Sequence, residues 1–307
     1  MTTVFYDSYM SDDERRSRIY AGDIFVYSRR KSVLAYVEFT HQLLREAFGP
    51  LDPETAQHRM AVEDFAGLLG KLKPQFIHHP QSKQHLMSIM QEFGCDLELS
   101  YFDVPRLRSS TSDDYLTSGI AYAWHPHRDT WYSAPLNQIN WWFPVYELEA
   151  NNAMAFHPAY WNRAVRNNSS GYNYYEWNKR FRGPAVASLV KEETRPLPRA
   201  TETIEIEPQL RLLCPVGGMI IFSGAQMHSS VPNTSGKTRY SIDFRHVHRN
   251  DVAAQRGASR SDEASTGTTM RDYRRGKDQA LLPDELIRLY DDNAVVDGKL
   301  VYEHRSE

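Results

Sequence analysis

Two segments of this chain carry side chains that form a chemical site only if the fold brings them together. His127 and Asp129 are separated by one residue, and His228 follows about a hundred residues later. A His-x-Asp pair and a distant His supply two imidazoles and one carboxylate. On Fe(II) this ligand set leaves about three of six octahedral positions open. The pattern therefore requires a fold in which strands that are distant in sequence meet at one point.

The local sequence suggests how the three side chains could converge. Residues i and i+2 of a β-strand point to the same face, so an extended segment would direct His127 and Asp129 to one ion and Arg128 away from it. His228 follows an apolar run, 219–222, and a turn at 223–226. We expect a neighbouring strand to bring His228 to the same ion.

A cation on the next predicted strand extends the site. Arg239 follows His228 by eleven residues, and Ser241 shares its strand face. Arginine binds carboxylates in a bidentate manner, and a serine hydroxyl can donate to the same group. A metal at one end and a cation at the other suit a dicarboxylic 2-oxo acid. The residues therefore favour Fe(II), 2-oxoglutarate and O2 as the cofactor and co-substrates.

The hydrophobic pattern changes near Gly94. Helical periodicity predicts helices over 33–48, 52–70 and 79–93, after a short strand at 23–27. Short β-type runs follow at 97–102, 121–127, 137–146, 203–207, 216–222 and 238–247, and a last helix opens at 282–286. Many short strands separated by Gly and Pro indicate a jelly roll or a related sandwich.

The predicted organisation is a single domain over residues 1–307, mainly β with α additions. A helical part (about 1–95) packs on a jelly-roll core (about 95–250), and 251–307 holds a flexible loop at 251–277 and the C-terminal helix. The core contains a long aromatic and polar insertion at 157–200, and segments of this length between strands are usually functional or mobile. Either this insertion or the loop could act as a lid.

Composition excludes several classes of protein. The net charge of −3 gives no broad electrostatic footprint for nucleic acid or for an anionic membrane. No apolar run is long enough to span a membrane, and the N-terminus lacks the features of a signal peptide. Cys95 and Cys214, the two cysteines, are typical of reduced thiols. These observations predict a cytoplasmic protein.

The motifs resemble one enzyme family. The stretch PVGGMIIFSGAQMHSSVPNTSGKTRYSIDFR resembles the Gly-rich turn, distal His and Arg-x-Ser segment of the phytanoyl-CoA dioxygenase-like Fe(II)/2-oxoglutarate-dependent oxygenases, and HRDTW resembles their His-x-Asp segment. The run 151–158 resembles a third family strand but lacks the Gly-Ser-His ending that usually follows. The resemblance covers roughly residues 95–250.

The resemblance implies a double-stranded β-helix flanked by helices. It implies iron ligation by His127, Asp129 and His228, with no catalytic group beyond the metal centre. Arg239 and Ser241 would hold the distal carboxylate of 2-oxoglutarate, with Asn140 and Trp142 as further co-substrate contacts. Related halogenases have Gly or Ala in place of the carboxylate ligand. The presence of Asp129 therefore favours hydroxylation or another oxidation over halogenation. The activity that the resemblance implies is hydroxylation of a small-molecule metabolite, with release of succinate and CO2.

The substrate is less constrained by the sequence. Cations and aromatic residues near the predicted barrel and in the insertion suit a small anionic or zwitterionic molecule, although they also suit an ordinary packed surface loop. The candidate substrate contacts are Arg106, Arg108, Tyr174, Tyr175 and Trp177.

Other functions remain open at this stage. The same cofactor chemistry could give desaturation, cyclisation or epimerisation instead of hydroxylation. A cupin-type metalloprotein without 2-oxoglutarate, or a non-catalytic jelly-roll binding module, would not need Arg239. Two His-x-His patterns occur as well, His125 with His127 and His246 with His248. We interpret His125, His246 and His248 as non-ligands. The oligomeric state is left open.

Overall fold

The computed structural model describes residues 2–291. The part of the predicted C-terminal segment after Asp291 lies outside the described residues. The N-terminal part contains four helices, and a capping box between Ser11 and Glu14 opens the first of them. Its helices are α1 (Asp12–Tyr20), α2 (Lys31–Phe48), α3 (Val62–His78) and α4 (Pro80–Glu92).

The predicted helix boundaries agree best where the flanking residues stop a helix. α2 ends at Phe48, directly before Gly49, whose positive φ of 59° disfavours a residue with a side chain, and α4 starts at Pro80. α3 starts about ten residues later than the sequence predicts, because 56–58 form a short 3₁₀ helix of their own. None of the helices in residues 2–291 combines the length and the apolar character that a membrane span needs.

The strands form two sheets. The strands are β1 (Val4–Tyr6), β2 (Ile24–Tyr27), β3 (Ser100–Phe102), β4 (Arg106–Ser110), β5 (Ile139–Pro144), β6 (Met154–Phe156), β7 (Leu210–Leu212), β8 (Met219–Ser223), β9 (His228–Ser230), β10 (Arg239–His248) and β11 (Arg274–Arg275). In the described chain the larger sheet has the order β1-β2-β8-β5-β10-β3-β11, with β4 also paired to β10, and the smaller sheet has the order β7-β6-β9.

β10 organises the larger sheet. Its ten residues pair with β5 along one edge and with both β3 and β4 along the other. Alternate residues face opposite sides of the sheet. Trp141 and Phe244 pack with the helices, whereas Trp142 packs with the smaller sheet. Polar residues of β5 and β10 alternate with these helix-facing residues. They therefore lie on the opposite face, which lines the space between the two sheets.

This arrangement is rich in β-sheet with helical additions, as predicted. The described residues form two separate sheets and no closed barrel, so the double-stranded β-helix stays a prediction. No strand forms over 121–127 or 203–207. The insertion contains α5 (Tyr174–Phe181). The segment 251–277, predicted as a flexible loop, contains the end of α6 (Arg249–Ala253), a 3₁₀ turn and β11, and α7 (Asp284–Ile287) lies in the predicted last helix.

Candidate metal centre

The two histidines of the predicted triad lie side by side. His127 forms an isolated antiparallel bridge with His228, the first residue of β9, and each backbone N–H donates to the other residue's carbonyl at 3.0 Å. The centroids of the two imidazole rings are 4.4 Å apart. The bridge therefore brings together two segments that are a hundred residues apart in sequence.

Asp129 reaches the same point by a different route from the one expected. The segment is not an extended strand, because Asp129 starts a 3₁₀ helix over Asp129–Tyr132. Its backbone N–H donates to the carbonyl of Gly224 at 2.9 Å, which fixes it against the end of β8. Its Oδ1 lies 3.6 Å from Nε2 of His127 and 3.9 Å from Nε2 of His228. A metal ion could be held by three or more His, Cys, Asp or Glu side chains whose ligand atoms lie close together. Among residues 2–291, His127, Asp129 and His228 form the one such group.

Hydrogen bonds select which nitrogen of each imidazole faces the centre. Nδ1 of His127 donates to the carbonyl of His125 at 2.8 Å, and Nδ1 of His228 donates to the carbonyl of Gln226 at 2.9 Å. Such bonds hold Nδ1 in the protonated form and leave Nε2 with a free lone pair. Both Nε2 atoms point towards Asp129 Oδ1, so the donor set fits a divalent metal.

The other carboxylate oxygen of Asp129 is already engaged. Oδ2 accepts hydrogen bonds from Nε2 of Gln138 at 2.9 Å and from Nδ2 of Asn140 at 2.8 Å, and Nε of Arg245 lies 3.8 Å away. Oδ1 is therefore left for a metal. Gln138 and Arg245 are additions to the sequence prediction. Gln138 shares the face of Asn140, and Arg245 shares that of Arg239, so strand alternation was the signal for both.

The charge states suit metal binding. Burial, reinforced by the neighbouring His127, lowers the pKa of His228 to about 4. Burial alone would raise the pKa of Asp129, but the neighbouring imidazole of His127 and the charge of Arg245 outweigh it and hold that pKa well below the usual value. A neutral imidazole and an ionised carboxylate are the forms that bind a divalent metal.

Arg239 lies buried between the two sheets, 8 % exposed. Its guanidinium donates to the carbonyls of Asn152 (2.9 Å) and Ala153 (3.2 Å) and to the hydroxyl of Ser230 (3.3 Å), and it lies over the ring of Trp142, 5.8 Å from the centroid. Within residues 2–291 it forms no ion pair, and its Nε has no hydrogen-bond partner. The buried hydroxyl of Ser241 also lacks a partner. These unpaired donors fit a ligand carboxylate.

β5 connects the two ends of this site. Asn140 and Trp142 share one face of the strand. Asn140 donates to Asp129, whereas Trp142 lies beneath Arg239. The candidate metal position and the buried cation are therefore on the same side of the sheet. The co-substrate roles of Asn140 and Trp142 remain predictions.

The candidate substrate residues are dispersed. Arg106 pairs with Asp103, and Arg108 pairs with Asp243 at 2.6 Å, so each guanidinium already has a carboxylate partner within the protein. Tyr174 and Tyr175 of α5 donate to Asp272 and Asp291, and so hold the insertion to the C-terminal segment. Trp177 is half-buried and packs 6.0 Å from Tyr172, counted between ring centroids.

A row of aromatic rings leads from the candidate metal centre to the insertion. Tyr132 meets His127 edge to face at 5.6 Å, and Tyr172 meets Tyr132 at the same separation. Trp177 follows Tyr172, and its ring carries the guanidinium of Arg182 at 5.7 Å. This row connects the insertion, through Tyr132, to the ring of the candidate ligand His127.

The remaining histidines lie outside the trio. Nε2 of His125 contacts the carbonyl of Pro198 at 3.1 Å, and burial lowers its pKa to about 4. His246 and His248 are buried on β10 and do not belong to the group that could hold an ion. The interpretation of these three histidines as non-ligands stays a prediction.

No family model matches this chain, and no curated protein matches it. Among solved structures, the chain is similar to EvdO2 from Micromonospora carbonacea var. aurantiaca, with 12 % identity, coverage of 81 % of this chain and 94 % of that one, and a TM-score of 0.44. It is also similar to the non-heme alpha ketoglutarate dependent epimerase SnoN (10 % identity, 77 % and 82 % coverage, TM-score 0.39) and carbocyclase SnoK (11 %, 84 % and 95 %, 0.39), both from nogalamycin biosynthesis. Likenesses this distant do not decide the reaction of this chain.

Proposed function

We propose that this chain is an Fe(II)- and 2-oxoglutarate-dependent oxygenase that hydroxylates a small-molecule metabolite. The observation that carries the proposal is the combination of two features on one side of the sheet. One is the convergence of His127, Asp129 and His228 at their metal-binding atoms. The other is Arg239, a buried cation without an ion-pair partner in the described chain. A metal alone would need the first feature but not the second.

Each residue has a defined role in this proposal. Nε2 of His127, Nε2 of His228 and Oδ1 of Asp129 hold the iron on one face. Bound iron supplies O2 activation, in which 2-oxoglutarate is oxidised to succinate and CO2 and one oxygen atom goes to the substrate. Arg239 and Ser241 hold the distal carboxylate of 2-oxoglutarate, because Nε of Arg239 and the hydroxyl of Ser241 are buried donors without a partner in the described chain.

Desolvation makes the carboxylate clamp effective. Burial lowers the pKa of Arg239 to about 10, and the charge of Asp243 offsets only part of this effect. A buried charge without a partner is costly, so a bound carboxylate compensates a penalty that the ligand-free protein already carries. This supports 2-oxoglutarate over the cupin and binding-module alternatives, in which Arg239 has no such role.

The finer features of the proposal follow the sequence motifs. We propose a phytanoyl-CoA dioxygenase-like double-stranded β-helix for the core, because two sheets enclose the site. The substrate is a small anionic or zwitterionic molecule that enters beside the aromatic row, with Arg106, Arg108, Tyr174, Tyr175 and Trp177 as candidate contacts. A cytoplasmic location is part of the same proposal, supported by Cys95 and Cys214, which are both unpaired.

The outcome of the reaction depends on how the substrate sits. The same centre would perform desaturation, cyclisation or epimerisation if the substrate placed a different bond near the iron. The mass of the product separates these reactions. A gain of about 16 Da identifies hydroxylation, and a loss of about 2 Da identifies desaturation or cyclisation. An epimer has the mass of the substrate, so epimerisation is identified by chromatographic separation of the product from the substrate.

Succinate formation tests the proposal. Protein loaded anaerobically with Fe(II) is given 2-oxoglutarate and then O2, with and without pools of small metabolites. We expect slow succinate release that one pool accelerates. A protein that binds metal but neither binds nor consumes 2-oxoglutarate would favour a cupin-type metalloprotein, and one that binds neither would favour a binding module.

A further inference from the structure

We infer that Tyr273 is a positioning residue for the metal centre, acting through Gln138 to keep Asp129 a one-oxygen ligand. The inference rests on the proposed function only in needing a metal at His127, Asp129 and His228. Tyr273 comes from the C-terminal segment, which the sequence motifs do not include.

The contacts form a directed chain. The hydroxyl of Tyr273 donates to Oε1 of Gln138 at 2.7 Å. Nε2 of Gln138 then donates to Oδ2 of Asp129 and to Oδ1 of Asn140, both at 2.9 Å. Nδ2 of Asn140 donates to the same Oδ2 at 2.8 Å. The chain therefore ends at Oδ2 of Asp129, which accepts from both amide groups.

Tyr273 supports the orientation in which the Gln138 amide faces Asp129. The oxygen and nitrogen of a glutamine amide occupy nearly the same volume, so packing alone does not select between the two orientations. An ionised carboxylate only accepts hydrogen bonds, so Asp129 favours the NH₂ group on its own side, and the phenol of Tyr273 stabilises the same orientation by donating to Oε1 on the other side. Without that donor, Oε1 of Gln138 loses its partner, and the amide is held less firmly in its hydrogen bonds to Asp129 and Asn140.

The orientation of the amide controls how Asp129 can bind a metal. Two donors already occupy Oδ2, whereas Oδ1 lies nearest to the Nε2 atoms of His127 and His228. Asp129 then contributes one oxygen, and the three protein ligands leave about three octahedral positions open. If Oδ2 were free to bind as well, one of these positions would be lost to the protein.

The surroundings show how closely these groups are packed. A Cβ at Gly224 would lie 3.0 Å from Nε2 of Gln138 and 3.5 Å from Cβ of Asp129. Tyr273 itself is fully buried in an apolar cluster with Tyr101, Val247 and Met270. Tyr273→Phe retains the ring in this cluster, so the substitution removes only the hydroxyl, with its hydrogen bonds to Gln138 and from Thr269.

Cobalt(II) binding to the purified full-length chain tests the inference without turnover. The dissociation constant is measured by calorimetry, and the visible absorption of the bound cobalt reports its coordination. The variants are Tyr273→Phe, Gln138→Leu and the double variant. Tyr240→Phe is the matched control, because Tyr240 is also fully buried and its hydroxyl donates to the carbonyl of Pro53 at 3.2 Å, outside the chain that ends at Asp129.

We expect Tyr273→Phe to raise the cobalt dissociation constant about tenfold and to alter the absorption spectrum, as removal of partners of a metal ligand commonly does. Gln138→Leu should do the same, and the double variant should be no weaker than Gln138→Leu alone, because both substitutions break one chain. Tyr240→Phe should leave affinity and spectrum unchanged.

Three results would overturn the inference. Tyr273→Phe could bind cobalt as tightly as the wild type. The double variant could raise the cobalt dissociation constant by the product of the two single effects. Tyr240→Phe could weaken cobalt binding as much as Tyr273→Phe does. Failure of the wild-type chain to bind cobalt would instead reject the proposed metal centre. The three results above reject only the role of Tyr273. If Tyr273→Phe does not fold, Gln138→Leu still tests the chain of hydrogen bonds from Tyr273 through Gln138 to Asp129.

Discussion

Arg128 and Asp262 form an ion pair inside the protein, with Nε of Arg128 3.1 Å from Oδ2 of Asp262 and the two side chains 1 % and 4 % exposed. Asp262 also accepts hydrogen bonds from the indole of Trp131 at 2.7 Å and from the backbone of Val165 at 2.9 Å. Arg128 donates further to the carbonyls of Ala225, Tyr160 and Arg163.

This pair connects three parts of the chain beside the candidate metal centre. Arg128 lies between two candidate ligands, Asp262 belongs to the segment 251–277, and Val165 belongs to the insertion 157–200. The sequence predicts that Arg128 points away from the metal, and it gives no partner for it. In the structure, Arg128 contacts both the segment 251–277 and the insertion 157–200, and so holds them beside the candidate ligands.

Asp262→Asn should destabilise the protein by about 3 kcal/mol, because it leaves the buried guanidinium of Arg128 without a countercharge. The measurement is equilibrium unfolding in urea. Glu202→Gln is the matched control, since Glu202 pairs with the exposed Arg166 and Arg163. We expect the control to change the free energy of unfolding by less than about 0.5 kcal/mol. Equal effects of the two substitutions would contradict the role of the Arg128–Asp262 pair.

Asp129→Ala should abolish 2-oxoglutarate turnover and raise the Fe(II) dissociation constant by more than about a hundredfold, since a ligand is lost rather than one of its hydrogen-bond partners. His127→Ala and His228→Ala should behave alike. Iron content and succinate release are the measurements. His58→Gln serves as the control, because His58 is exposed and outside the trio. Full activity of Asp129→Ala would reject the triad.

Arg239→Met should separate binding from stability. The dissociation constant for 2-oxoglutarate should rise at least about a hundredfold, because a buried charge-assisted contact is lost. Unfolding of the ligand-free protein should change by less than about 1 kcal/mol, because the removed cost of burying the charge offsets the lost bonds to Asn152 and Ala153.

Calorimetry with 2-oxoglutarate and urea unfolding provide the two readouts for Arg239→Met. Arg166→Met, at a side chain that is 80 % exposed, controls for the loss of a positive charge. A large loss of stability with unchanged 2-oxoglutarate binding would show that Arg239 is a structural residue.

Gly224→Ala should weaken Fe(II) binding about tenfold, because the added methyl group would press on the amide of Gln138, 3.0 Å from its nitrogen. The change needs no strained backbone, since the conflict is one of space alone. The comparison is Gly67→Ala in α3, where no atom outside the helix's own backbone lies within 4 Å of the new methyl group. Replacing that helical glycine should stabilise the fold by about 1 kcal/mol and leave iron affinity unchanged. Unchanged iron affinity in Gly224→Ala would show that the Gln138 amide tolerates displacement.

The sequence predicted best the elements that depend on local chemistry. α2 and α4 lie within one or two residues of their predicted bounds, because helical periodicity and stop residues act within a few residues along the chain. The alternating run 203–207 forms no strand, since alternation does not supply a partner strand with which to pair.

The sequence by itself determined the chemistry available to this protein: two histidines, an aspartate and an arginine at spacings that suit a metal and a dicarboxylate. The tertiary structure decided how they meet. A bridge between His127 and His228 and a 3₁₀ turn at Asp129 replace the expected strand. Tyr273 and Asp262 reach the site from beyond residue 250, and such contacts depend on packing between segments that no local pattern records.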